Sequence, residues 1–268
     1  MQAISEGSKY EPKHRIVVRL DRRSHGTAES IRTVAESLQH SVGGFIVRTL
    51  PNNAIDAYVR RRRYINHALE PLTALNVPIG LHRPYSALAR SPHVMPDMRT
   101  VRESGFAKTC ILPLWSGKTA ISEALSLQNE TFQMVGALLP ETSRQLAYFR
   151  ALGRRRQDLV REHARLFALL GGNTLLCDAS DLFVIKQDEE IDRIARIRKE
   201  RNEQPLRYVL QGVTDLWKRP HDSSWMTPHA AMNLGADFLL YDIEDLHHPD
   251  VPQIELLQRI SADISQDR

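Results

Sequence analysis

Residues 227–245, TPHAAMNLGADFLLYDIED, leave the chain little freedom in what it can build. Thr227 is a good N-cap, and Pro228 fits the first helical position, where its missing N–H costs nothing. Gly235 stands where a helix passes into a left-handed residue. The apolar run that follows is short. It is bounded by a turn signal on one side and by charge on the other, so it reads as a buried strand. A short helix, a glycine and a strand ending in polar residues form one repeating unit of an alternating chain. Tyr241, Asp242, Glu244 and Asp245 are the polar residues at and beyond that strand, and they are expected to face the opening of the fold.

The same unit recurs along the sequence. Strands are expected near 14–20, 43–49, 77–82, 107–114, 131–139, 173–178, 206–212 and 236–242. Helical periodicity lies between them, as in 27–40, where Ile31, Val34, Ala35 and Leu38 share one face. Eight strands alternating with helices, with charged residues after the strands, argue for an α/β protein of the (β/α)8 TIM-barrel type. A chain of 268 residues suits one such domain over 1–268, with 1–13 as a flexible N-terminal arm. A doubly wound open sheet is the alternative. No Gly-x-Gly-x-x-Gly follows the first strand, which weighs against a dinucleotide fold. SGKT at 116–119 is similar to the end of a P-loop, but the earlier glycine of that motif would fall at Leu112.

Composition narrows the functional classes. No apolar run is long enough to span a bilayer, and the first residues, MQAISEGSKYEPKHR, contain no signal-like apolar segment. Cys110 and Cys177 both fall inside apolar strands and read as reduced core residues. A cytoplasmic location fits these features. The net charge of +4 is modest. Its two arginine runs, 60–63 and 154–156, lie in helical segments without interleaved aromatics, so they read as solvated helix faces or a dimer rim rather than a nucleic-acid surface.

Several segments together resemble the orotidine 5'-monophosphate decarboxylase superfamily, from His14 to about Asp250. HRIVVRLD is similar to that family's opening strand, whose final aspartate contacts ribose; the match here is Asp21. RESGFAKTCILPLWSGKTAISEAL resembles its fourth strand and the turn after it, and TFQMVGALLPETS its fifth strand. LRYVLQGVT, a polar loop and TPHAAMNLGADFLLYD resemble its phosphate-binding seventh and eighth units. The departures carry as much information. The family's third strand bears Asp-x-Lys-x-x-Asp, and this chain has Gly80-Leu81-His82-Arg83-Pro84-Tyr85. The lysine corresponds to His82, or to Arg83 if the register slips by one, and neither carboxylate is present. The second-strand lysine corresponds to Val47 or Arg48. The Gly-Arg that grips phosphate in the family appears as Tyr241-Asp242, whose charge would repel an anion.

These residues lead to two functional expectations. In the first, the chain is a divergent carbon–carbon lyase, decarboxylase-like, acting on a nucleotide or sugar phosphate. Asp21 would hold a sugar hydroxyl. His82 would give or take the proton, because arginine, with a pKa above about 12, is a poor donor. Arg48, Arg83, Lys218 and Arg219 would bind the anion. The alternative role for His82 is a hydrogen-bonded residue of the barrel interior. In the second expectation, the barrel has lost that chemistry and serves as a ligand-binding or scaffold protein. An unrelated reaction at the acidic residues Asp242 and Glu244 is a third possibility. Asp21, Asp178, Asp242 and Glu244 at strand ends could converge on Mg2+. The family's third-strand metal ligand is missing, so no cofactor is expected. The resemblance also implies a homodimer.

Overall fold

The computed structural model describes residues 14–21, 28–48, 69–75, 77–82, 98–103, 105–129, 131–138, 155–211, 227–243 and 251–266. Eight strands close into one parallel barrel in sequence order, β1 pairing with both β2 and β8. They are β1 (Ile16–Asp21), β2 (Gly44–Arg48), β3 (Ile79–His82) and β4 (Thr109–Pro113), followed by β5 (Gln133–Ala137), β6 (Thr174–Cys177), β7 (Arg207–Gln211) and β8 (Phe238–Ile243). Six lie within the ranges expected for them, β1 and β8 each run one residue further, and the barrel, not the doubly wound sheet, is the architecture.

Strand alternation divides the apolar residues into two sets. Ile16, Val18 and Leu20 of β1, Phe45 and Val47 of β2 and Leu239, Tyr241 and Ile243 of β8 pack in the larger cluster, with residues of the surrounding helices. Ile46, Ile111, Val135, Ala137, Leu176, Val209 and Leu240 form a separate, smaller cluster inside the barrel. Side chains one position apart therefore belong to different layers. This corrects the expectation for Tyr241: its ring is buried in the helix-facing layer, and Asp242 is the residue that faces the lumen. Gly80 belongs to the lumen set. A Cβ there would overlap the Thr109 hydroxyl and come within 3.2 Å of Ile46 Cγ1, so the absence of a side chain lets β2, β3 and β4 close up.

The helices follow their caps. α1 (Ala28–Leu38) buries Ile31, Val34, Ala35 and Leu38. α2 (Lys118–Leu125) begins after Gly117, whose φ is +96°. α3 (Arg156–Leu169) precedes β6. Two helices then occupy the segment between β6 and β7. α4 (Ala179–Lys186) is capped by Asp178 and α5 (Glu189–Glu200) by Asp188, each side chain accepting from backbone N–H groups of the first turn. In α5, Ile191, Ile194 and Arg198 are buried while Ile197 is exposed, so Arg198 takes the inner position and donates to the Gly172 carbonyl at 2.6 Å. α6 (Pro228–Asn233) has the expected Thr227 cap, which accepts from Ala230 N, and Gly235 follows with φ +96°. α7 (Val251–Gln266) comes after the last strand. Among the described residues, no helix is long and apolar enough to cross a membrane. Cys110 and Cys177 are both buried free thiols, and burial pushes the Cys177 thiol well above its ordinary range.

Candidate functional site

The polar residues of the lumen gather at the carboxyl ends of β8, β1, β2 and β3. Backbone register sets their order. Arg19 stands opposite Asp242, Asp21 opposite Arg48, and Arg48 opposite His82. Arg19 is the centre of the group. It is buried, and its guanidinium forks onto Asp242, Nε donating to Oδ1 at 2.5 Å and Nη2 to Oδ2 at 2.7 Å. Its remaining arm, Nη1, lies 3.2 Å from His82 Nδ1. A guanidinium has only donors, so Nδ1 of this buried histidine is the acceptor and its ring proton sits on Nε2. One arginine thus fixes both a carboxylate and an imidazole tautomer. The Asp242 carbonyl accepts from Gln253 Nε2 of α7 at 3.2 Å, which ties the last helix to the same strand end.

This arrangement bears on three readings of the sequence. Val47 packs toward the helices, so Arg48 is the lumen-side residue at the end of β2. His82, the last residue of β3, is buried inside the barrel, whereas Arg83 lies outside the described residues. Asp242 is no isolated charge that would repel an anion, because Arg19 occupies both its oxygens. Lys218, Arg219, Glu244 and Asp245 also lie outside the described residues. The sequence reading overlooked Arg19 as a site residue. The signal was available: Ile16, Val18 and Leu20 alternate with it, and a charged residue on the opposite face of a barrel strand must point inward.

A second polar group lies at the end of β6. Arg156, at the start of α3, donates to Asp181 Oδ1 from Nε at 3.2 Å and from Nη2 at 3.0 Å, and it also binds Asp178. Asp178 Oδ1 accepts from the Asp181 backbone N–H at 2.9 Å and from Ser180 Oγ at 2.8 Å. Burial works against the Asp178 charge, but that N–H, the Ser180 hydroxyl and the guanidinium outweigh it and hold the carboxyl below its ordinary range. Asp181 responds in the opposite direction. Burial first, then the neighbouring Asp178 charge, push it up to about 7 against the pull of Arg156. Asp178 is therefore a helix cap held by an arginine, not the open strand-end acid that Mg2+ would need. Among the described residues, no group of three or more His, Cys, Asp or Glu side chains is placed to hold a metal ion.

The arginine runs resolve in part. Arg156 is spent on the two aspartates, and Arg161 and Arg165 of the same helix reach the buried Asp188 at 3.7 and 2.7 Å. The run at 60–63 lies outside the described residues. Beyond β4, the turn Leu114–Ser116 sends Leu114 into the outer layer and Trp115 onto the lumen cluster.

Together these features define a (β/α)8 barrel with a polar group at the carboxyl ends of its strands, the face where such barrels carry their active sites. The fold is that of orotidine 5'-monophosphate decarboxylase. It is similar to the Methanocaldococcus jannaschii enzyme complexed with the inhibitor BMP, at 8% identity over 92% of this chain and 98% of that one, with a TM-score of 0.57. The Pyrococcus horikoshii OT3 orotidine 5'-phosphate decarboxylase matches at 11% identity over 91% of this chain and 99% of that one, with a TM-score of 0.55. An uncharacterized conserved protein of Geobacillus kaustophilus matches at 12% identity, covering 91% and 99%, with a TM-score of 0.53. At these identities the likeness is one of fold. No protein-family model and no curated protein matches the chain.

Proposed function

We propose that this chain is a divergent, decarboxylase-like carbon–carbon lyase that takes a small phosphorylated or anionic ligand at the carboxyl-end mouth of the barrel. The observation that carries the reading is the Arg19–His82 contact of 3.2 Å, because it dictates which nitrogen holds the proton. Heterolysis of a carbon–carbon bond leaves an electron pair on carbon. A neutral imidazole does not give up its only proton, so the carbon takes its proton from a solvent water that accepts a hydrogen bond from His82 Nε2–H, and the hydroxide left behind returns to solvent. Arg48, Arg83, Lys218 and Arg219 bind the anion, and Asp21 accepts from a ligand hydroxyl. The sequence resemblance and the shared barrel support this assignment of roles. The same resemblance supports a homodimer, the reduced core cysteines fit a cytoplasmic location, and the missing third-strand acid speaks against a metal cofactor.

The reading is tested by calorimetric titration of inorganic phosphate and of ribose 5-phosphate into wild type and into Lys218→Ala/Arg219→Ala. Binding that the double variant loses supports the anion site; unchanged affinity removes those two residues from it. A second reading, a catalytically degenerate binding or scaffold barrel, is favoured by the Arg19–Asp242 pair, which neutralises a charge that lyase chemistry could use. Absence of binding to either protein would support that second reading.

A further inference from the structure

Arg19 reaches further than its own strand pairs. β1 is bonded to β8 and β2, yet the guanidinium touches His82 on β3, one strand beyond. In register, Arg19 stands level with Ile46 and Gly80, whereas His82 is level with Arg48, one lumen row nearer the mouth. The side chain therefore reaches up one row and across one strand. Asp242 holds Nε and Nη2, and Nη1 is the arm that meets His82 Nδ1. A two-bonded fork on a carboxylate fixes the plane of a guanidinium, so the direction of Nη1–H is fixed with it.

The surroundings of His82 disfavour a charge on its ring. The imidazole is buried, which already penalises the charged form. Arg19 lies at Nδ1, Arg48 of β2 stands opposite in register, and Asp21 of β1 stands opposite Arg48. β4, on the other flank of β3, brings Thr109, Cys110 and Ile111, of which only the Cys110 thiol titrates. The Asp242 carboxylate of β8 has both oxygens on Arg19. An imidazolium here would set N–H against N–H and cation against cation.

We propose that Arg19, anchored by Asp242, is a positioning residue that holds His82 uncharged, as a hydrogen-bond donor through Nε2, across the range from about pH 5 to about pH 8 in which a free histidine changes charge. His82 then neither takes a proton as a base nor gives one as an acid; it orients whatever accepts from Nε2–H. Its use in proton delivery rests on the lyase reading above, whereas the hold of Arg19 on His82 needs no ligand.

The test is a long-range 1H–15N correlation spectrum of the ligand-free, 15N-labelled full chain, recorded across that pH range, with the His82 signals identified by their loss in His82→Gln. Wild type is expected to show a protonated Nε2 and a bare Nδ1 that do not shift across the range. In Arg19→Met/Asp242→Leu the signals of the two nitrogens should move toward each other as both tautomers fill. The titration midpoint should rise into the range, by about 1–3 pH units, the usual effect of one neighbouring charge. Arg19→Met alone keeps the Asp242 carboxylate in the group, so its midpoint should lie higher still, an order that a purely structural role of Arg19 would not produce. Arg19→Lys, which keeps the cation, should leave His82 uncharged. A wild-type His82 that titrates near about 6.5, or whose proton sits on Nδ1, would overturn the proposal, and so would an unchanged spectrum in the double variant. Spectra as expected, with no phosphate bound by wild type in the titrations above, would uphold the role of Arg19 and count against the lyase reading alone.

Discussion

Replacing Asp242 with Asn removes a charge and almost no volume. The Arg19 guanidinium is then left inside the barrel facing an amide. Wild type places the pair at contact, with two charge-assisted bonds of 2.5 and 2.7 Å. Opposite charges about 4 Å apart attract by roughly 4 kcal/mol at an effective dielectric of about 20. Removing one partner of a fully buried pair costs about 3–5 kcal/mol, chiefly because the survivor remains desolvated. The pair here is asymmetric: the Arg19 side chain is 7% exposed and that of Asp242 is 35% exposed. Water can replace part of what Asp242 supplied, and the amide oxygen still accepts one bond. The expected loss is therefore about 2–4 kcal/mol, or roughly 5–15 °C in Tm for a chain of this size. Urea denaturation with a thermal scan measures it. A loss below about 0.5 kcal/mol, the range of an ordinary surface substitution, would refute the reasoning. The companion variant Arg19→Met/Asp242→Leu removes both charges and should recover most of the stability. Failure to recover would mean that Arg19 is needed for something other than neutralising Asp242.

Three further outcomes are expected. Orotidine 5'-monophosphate decarboxylation should be absent or very weak, since loss of the proton donor alone removes about 10²–10⁴ in rate and both third-strand carboxylates are missing as well; robust growth of a strain lacking that enzyme, abolished by His82→Ala, would overturn this. Asp181, pushed up from 3.8 to about 7 in the folded chain, keeps a proton there that the unfolded chain releases, so its contribution lowers stability as pH rises from about 4 to about 7. Asp181→Asn should remove that slope, its Tm gaining on wild type between pH 5 and pH 8, and parallel Tm curves would contradict the assignment. Gly80→Ala forces a methyl group against Thr109 and Ile46; overpacking of this kind costs about 1–3 kcal/mol, and an unchanged urea midpoint would show that β3 and β4 can separate freely.

The strands were legible because each is a short apolar run with punctuation at its ends, and a buried parallel strand can be little else. Which residues look inward was also legible in principle, since alternation along β1 assigns Arg19 to the face opposite Val18 and Leu20. Its partner was not legible. Asp242 is 223 residues away, and their meeting depends on the register of barrel closure, which no local pattern encodes. α4 leaves a weak signal for a different reason. Leu182, Val184 and Ile185 are buried while Phe183 is 53% exposed, so ASDLFVIK carries no clean apolar stripe. Asp178 was misread as an open strand-end acid, although an aspartate three residues before another acid at a helix start is a capping pattern. His82, Arg48 and Asp21 were singled out through family resemblance, and they occupy adjacent strand ends. The sequence alone offered no reason to group them.

The closing seam between β1 and β8 has a consequence during synthesis. Five residue pairs join the two strands, from Ile16 opposite Leu239 to Leu20 opposite Ile243. Chain synthesis runs from the N-terminus, so β1 emerges early, and its β8-side edge stays without a partner until residues beyond 238 have been made. An unpaired strand edge is a template for wrong pairing, and domains that await distant contacts are exposed to aggregation while they wait. Arg19 lies on that edge. A charged side chain on an open edge discourages pairing with a neighbouring chain, so before Asp242 arrives the arginine acts as a gatekeeper for the nascent barrel.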